Sequence, residues 1–335
     1  MPDPSPLVQD FSLVCREYGN PPRIAVEGLA PAHDPAAGEV VIDVACAALN
    51  FTDHLMMQGR YQDKPALPFV PGLDAAGTVR AVGTGVTHLK PGDLAVSSGV
   101  AGAYASRLHA PASRVIPLPP HLSPQDAVAS INSHLTAYHG LVDRAALKAG
   151  ERVLVLGASG AVGKAAMQLA THLGAQPFSV ERAAEGRLAL RDHAQGRTVM
   201  VESAALRQGL KELLGPRGAD VVVDPVGDLY TEPAVRALAW RGRLLVIGFA
   251  AGAIPSVPMN LLLLKGASLV GVYCGGLLVN EEAQFTAQLA CVFDLLAENV
   301  LTPSAWEATP ARDFADAWQR FSAPRGAKVL LDFGR

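Results

Sequence analysis

The stretch ERVLVLGASGAVGKAAMQLATHLGA, residues 151–175, leaves few folds open. A compact apolar run, VLVL at 153–156, meets a glycine-spaced turn and then a segment of helical periodicity. Val162, Ala166, Leu169 and Leu173 share one helical face, while Lys164, Gln168 and Thr171 share another. This predicts a buried strand followed by a helix that packs on its sheet. At such a junction Gly160 lets the backbone approach a pyrophosphate and Gly163 lets helix and strand pack tightly. The helix N-terminus, at Ala161 and Val162, turns free N–H groups and a positive dipole end toward the anion. Ala158 stands where the first glycine of such turns usually does, with Ser159 beside it. Glycines at this spacing are common in loops, but the strand before and the amphipathic helix after make a dinucleotide-binding turn the better reading. The next apolar run ends in Ser-Val-Glu-Arg at 179–182, where an acid would hold the adenosine ribose. Glu181 favours a free 2′-hydroxyl. Arg182 and Arg187 favour a 2′-phosphate, unless all three are surface charges.

A chain of 335 residues has material for about two domains. The first 125 residues carry short β-like runs such as EVVIDVACAALN, broken by Gly and Pro clusters such as KPGD at 90–93. From about residue 126, helical segments alternate with compact apolar strands at 153–156, 178–180, 221–223 and 244–248, a pattern that predicts a parallel doubly wound α/β sheet. After AIPSVPMN at 253–260 come a final strand, a helix around 281–298 and a C-terminal strand near 327–333. The expected division is a β-rich domain from 1–126 and 267–335 around a nucleotide domain from 127–266.

Half the residues are hydrophobic and the formal net charge is -3, which offers no electrostatic footprint for nucleic acid or anionic lipid, so a small molecule is the expected partner. The four cysteines are scattered without a CxxC pair, which argues against a disulfide framework or a thiolate zinc cage and fits a reducing cytoplasm. The stretch MPDPSPLVQD does not read as a signal peptide. Residues 260–279 are the most apolar later stretch, but Lys265 and four glycines make them a poor membrane helix and a better loop plus buried strand. His134 and His139, five apart, cannot share a helix face as a metal pair.

Five stretches, NFTDHLMMQGRY (50–61), PFVPGLDAAGTVRAVGTGV (68–86), KPGD (90–93), LTAYHGL (135–141) and KAGERVLVLGASGAVG (148–163), occur in an order and spacing that resemble the medium-chain dehydrogenase/reductase superfamily. VVVDPVG, GRLLVIGF and the terminal GAKVLLDF continue the pattern. The resemblance implies a GroES-like β-rich catalytic domain followed by a Rossmann nucleotide-binding domain, with the active site in a cleft between them. Zinc members carry Gly-His-Glu where this chain has Gly72, Leu73 and Asp74; the cysteine ligands fall at Asn50 and Asn132, and the four-cysteine structural lobe is missing near 90–105. No metal ligand is left, so the chain is similar to the zinc-free quinone oxidoreductase branch, the zeta-crystallin-like enzymes, and no metal is expected. That branch implies NADPH as cofactor, with NADH possible, and hydride transfer to a quinone or other conjugated carbonyl. An enone or enoyl-thioester reductase is the alternative within enzymes; a non-catalytic NADPH-binding protein, crystallin-like or regulatory, is the alternative of another class. The resemblance places Asn50 and Tyr61 at the substrate and nicotinamide, and Thr136, Gly248 and Phe249 along the cofactor channel. A tyrosine that often assists the 2′-phosphate is missing near Val201. Asp74 is expected to accept hydrogen bonds from a turn, and LVGVYC at 269–274 to pair with its copy in a homodimer.

Overall fold

In the computed structural model, which describes residues 10–31, 33–61, 64–323 and 327–334, β-branched and small apolar runs form most of the strands. The first stretch of chain gives β1 (Phe11–Glu17), β2 (Arg23–Gly28), β3 (Glu39–Ala48), α1 (Phe51–Met57), β4 (Asp74–Val82), β5 (Leu94–Ser98), β6 (Arg107–Pro111), β7 (Val115–Pro117) and α2 (Pro124–Tyr138). Then come β8 (Arg152–Leu156), α3 (Ala161–His172), β9 (Gln176–Arg182), β10 (Leu188–Asp192), β11 (Arg197–Val201), α4 (Leu206–Leu214), β12 (Ala219–Asp224), α5 (Thr231–Arg236), β13 (Leu238–Val246), α6 (Asn260–Lys265) and β14 (Ser268–Gly271). The last elements are α7 (Cys274–Asn280), α8 (Glu282–Ala297), β15 (Trp306–Pro310), α9 (Phe314–Ser322) and β16 (Lys328–Asp332).

The chain divides into two units. One takes the chain up to Ile131, Leu278–Glu298 and the chain from Pro303; the other takes Asn132–Leu277 and Asn299–Thr302. The first division therefore falls inside α2, not at 126. The second falls after 277, not at 267, because β14 pairs with β13 and extends the second unit's sheet.

In the first unit the strands run β15-β16-β3-β4-β5-β7, with β6 also on β3 and β1–β2 as a separate hairpin. The core gathers Leu13, Ile42, Val44, Met57, Tyr104, Phe314, Trp318 and Leu331. Leu330 sits opposite Ala48 and Ala75 opposite Ala47, and by these two registers the starts of β16 and β4 both flank the end of β3.

The second unit carries the order β11-β10-β9-β8-β12-β13-β14. Strands β9, β8, β12, β13 and β14 are parallel, as the alternation predicts. Strands β10 and β11 are not: they form an antiparallel hairpin where a crossover helix was expected, so the sheet is mixed at that edge. Helix α3 meets the sheet through Gly163, Ala165, Ala166, Leu169 and Ala170, while Val162 and Leu173 lie half-buried. The inward face is thus set by small residues as much as by large ones. At Gly163 an added Cβ would lie 2.4 Å from the Gly157 carbonyl oxygen, closer than any real contact, so only glycine allows this packing. Residues 260–279 form α6, β14 and α7, and β14 is an exposed edge strand, not a buried one. Among the described residues no helix is long and apolar enough to cross a membrane.

Candidate active site

In the first unit, Asn50 precedes α1 at the end of β3. Its backbone N–H donates to Asp53 Oδ2 at 2.8 Å, the arrangement of an acid at N3 reaching back to the cap residue. The side chain is 3% exposed and held at both ends: Nδ2 donates to Asp74 Oδ2 at 2.7 Å, and Oδ1 accepts from the Lys328 ammonium. The strand registers explain this meeting, since Lys328 precedes Leu330 by the same two residues by which Asn50 follows Ala48. Asp74 Oδ1 also accepts from the Ser98 hydroxyl (2.7 Å) and the Gly99 N–H (3.3 Å), the latter the turn interaction expected of it. Gly72, at φ +91°, lets the turn before β4 run over the Tyr104 ring, where a Cβ would come within 2.2 Å of a ring carbon. Tyr104 gives its hydroxyl proton to the Ala48 carbonyl at 3.1 Å. Tyr61 lies half-buried in the bend beyond α1, and Leu73 is half-buried with its carbonyl accepting from Val100 at 3.1 Å.

Burial governs the charges of this cluster. It pushes the Asp53 carboxyl up to about 7; the Asp74 charge pushes the same way, and the Asn50 N–H and Lys328 oppose it. Asp53 Oδ1 is buried, and the neighbouring Tyr104 hydroxyl opposes the upward shift as well. Burial also raises Asp74, against its bond from Ser98, and lowers Lys328, against the attraction of both carboxylates. Tyr104 is raised well above the usual phenol range by burial and then by Asp53.

In the second unit the C-terminal ends of β8, β9, β12 and β13 share one edge of the sheet. The chain passes from β8 to β9, β10 and β11 on one side and then returns to β12 on the other side of β8, the switch point where α/β sheets open a crevice. Gly160 caps α3 with no side-chain hydrogen bond, so the first-turn N–H groups of Ala161 and Val162 are left for an anion beside the turn formed by Ala158 and Ser159. A pyrophosphate fits this donor set. Across the crevice, Asp224 ties down the next turn by accepting from Val226 and Gly227 (both 2.9 Å) and from the Thr231 hydroxyl at 2.6 Å. Gly248 follows β13 with its N–H 3.4 Å from the Asp224 carbonyl, and the partly exposed Phe249 ring adjoins Gly227. Thr136, buried in α2, places its hydroxyl 3.6 Å from Cys274 Sγ, a thiol that burial pushes up to about 11.

Glu181 accepts from the Ser179 hydroxyl at 3.0 Å and stands 3.9 Å from Arg191. Arg182 is exposed at the end of β9, whereas Arg187 turns to Glu202 at 3.4 Å and to the Met200 carbonyl. A cavity of about 720 Å³, lined by Ala158, Lys164, Gln168, Glu181, His193 and Thr302 among others, opens along α3 on this flank. His134 reaches the Thr302 carbonyl at 3.1 Å and His139 reaches Asp143 at 3.0 Å, so the two imidazoles serve separate partners.

Residues 36–120 match the family model described as an alcohol dehydrogenase GroES-like domain, and residues 161–294 the one described as a zinc-binding dehydrogenase. Mouse quinone oxidoreductase-like protein 2 is 34% identical over 322 residues, covering 95% of this chain and 91% of the relative. The chain belongs to the quinone oxidoreductase-like branch of the medium-chain dehydrogenase/reductase superfamily. Two solved mycobacterial structures agree with that membership. One, of a quinone oxidoreductase, has 28% identity and a TM-score of 0.81; the other, complexed with NADPH, has 29% and 0.79; each match covers 96% of this chain and 99% of the other.

As a quinone oxidoreductase-like chain, the protein is an oxidoreductase by family. Zinc is named in one family model's description; the ligand positions that the resemblance implies fall here on Asn50, Leu73 and Asn132. Leucine has no lone pair to give, and amide oxygens are poor substitutes for thiolate and imidazole. Sequence reasoning did not single out Asp53, Ser98, Tyr104 or Lys328. The Asn50-x-x-Asp53 spacing at a helix start was a signal for the first, and a lone cation opening the apolar run KVLL for the last.

Proposed function

We propose that the protein is a metal-independent oxidoreductase that uses NADPH to reduce a quinone or another conjugated carbonyl acceptor. The observation that carries this reading is the Asn50 carboxamide, buried and gripped at both ends at the position where zinc relatives would put a thiolate. NADPH, when bound, supplies the hydride. The turn from Ala158 to Gly163 holds its pyrophosphate, Thr136, Gly248 and Phe249 border its nicotinamide half, and Arg182 meets its 2′-phosphate with Glu181 opposing. The mycobacterial relative solved with NADPH supports this choice of cofactor. Asn50, with Tyr61 as the second donor, stabilises the negative charge that grows on the acceptor oxygen. A conjugated acceptor spreads that charge, so two neutral donors suffice where a simple carbonyl would need a Lewis acid.

The test is a turnover screen of NADPH and NADH against quinones, enones and enoyl thioesters, with a zinc chelator present throughout. NADPH oxidation with quinones in the chelator's presence is the expected result. Turnover confined to enoyl thioesters would move the protein to the reductase alternative, and no turnover with any acceptor would favour a binding role without chemistry.

The same reading includes a homodimer joined through β14. This strand ends the second unit's sheet with Leu269 exposed, and Trp240, Leu263, Leu264 and Tyr273 are exposed close to it in the chain or the sheet. An apolar open edge invites a partner strand. Four unpaired cysteines support a reducing compartment, the cytoplasm.

A further inference from the structure

We propose that Lys328 is a positioning residue: it locks the Asn50 amide in the one orientation that leaves an N–H free for the acceptor's carbonyl oxygen. The proposal rests on the reading of Asn50 as a donor to the substrate. A carboxamide has an accepting end and a donating end that can exchange by a half-turn. Lys328 as an ammonium carries donors only, so the atom it faces must be Oδ1; Asp74, which already accepts from Ser98 and Gly99, carries acceptors only as a carboxylate, so the atom it faces, 2.7 Å away, must be Nδ2. The two neighbours assign the amide independently and they agree. Nδ2 has two N–H groups and Asp74 takes one, which leaves a single donor. Nothing in the clamp is loose: Asp74 is held by Ser98 and Gly99, the Asn50 backbone by Asp53, and Lys328 by its place at the start of β16, where Leu49 N–H bonds the Val329 carbonyl at 3.0 Å. Asp74 alone does not fix the remaining N–H, because one hydrogen bond leaves the amide free to swing about it.

The experiment compares Lys328→Met, Lys328→Arg, Asn50→Ala and the Lys328→Met/Asn50→Ala double variant, with 1,2-naphthoquinone as acceptor. Lys328→Met is expected to lower kcat roughly tenfold to a hundredfold, with the NADPH Kd within about twofold of wild type. Lys328→Arg, which keeps the donor, is expected to recover most of the rate, and the double variant to be no slower than Asn50→Ala. In 15N-asparagine spectra the Asn50 side-chain signal, identified by its loss in Asn50→Asp, is expected to move in Lys328→Met. Lys328→Gln serves with the same readouts if Lys328→Met does not fold. An Asn50 signal that stays in place overturns the proposal whatever the rates. So does a double variant whose loss is the product of the two single losses, or a weakened NADPH Kd with kcat intact, which would assign Lys328 to the cofactor phosphates. If the signal moves while both single variants keep the wild-type rate, the donor reading of Asn50 has failed and not the hold of Lys328 upon it.

Discussion

Asp53 combines complete burial with a second carboxylate nearby, and the fold consequently holds its carboxyl well above the usual carboxylate range. An unfolded chain ionises such a group near 3.8, the folded one near 7. Between those values the native state holds a proton that the unfolded state releases, so this group's contribution to stability falls as pH rises through the window and stays low above it. Asp53→Asn keeps an oxygen for the Asn50 N–H and removes the charge. Its melting temperature relative to wild type is therefore expected to climb between pH 5 and pH 8, by up to about 3 kcal/mol in stability terms. Asp74, Lys328 and Tyr104 face the same site and couple to Asp53, so the difference reads the Asp53 carboxyl together with the shifts its removal causes in them. A difference independent of pH would show the carboxyl to be ionised throughout. An acid in the apolar stretch VPGLDAAG was visible in the sequence, and so was the reason for it, a turn to be held. Lys328 was not visible as part of the same site. Its partner Asn50 lies 278 residues away in the chain, and only the pairing of β16 with β3 brings them together.

Among the elements, the strands of the nucleotide unit were legible because buried parallel strands are unbroken apolar runs. The packing face of α3 was legible at Gly163 and less so beyond it, since Ala165 and Ala170 are buried there for their small size, a property that periodicity of bulky residues does not register. Gly163→Ala puts a methyl 2.4 Å from backbone oxygen that cannot yield, and is expected to cost about 1–3 kcal/mol, read as a lowered melting temperature. The β10–β11 hairpin is not legible, because the residues after β9 carry neither a turn dipeptide nor strict alternation to separate strand from helix. One result is that Arg187 faces Glu202 across the hairpin, while Arg182, at the end of β9, is the more exposed of the two arginines read as donors to a 2′-phosphate. Arg182→Ala is expected to weaken NADPH about tenfold while sparing NADH, with both dissociation constants measured by fluorescence titration. Equal affinity of the variant for NADPH and of the wild type would remove Arg182 from the site.

For the whole molecule, the open question is what covers the end of the second sheet. A dimer through β14 predicts twice the monomer mass by light scattering at micromolar concentration, and a charge placed there by Leu269→Lys is expected to halve it. A monomer in the wild type would mean that this apolar edge faces water. The edge also carries its own optical reporter. Of the three tryptophans, Trp318 is 5% exposed and Trp306 is 38% exposed, while Trp240, on the strand next to β14, is 72% exposed. An indole in water emits to the red of one enclosed by protein. Diluting the protein through its dissociation constant should therefore shift its emission to longer wavelength, and Trp240→Phe should leave a spectrum that no longer depends on concentration.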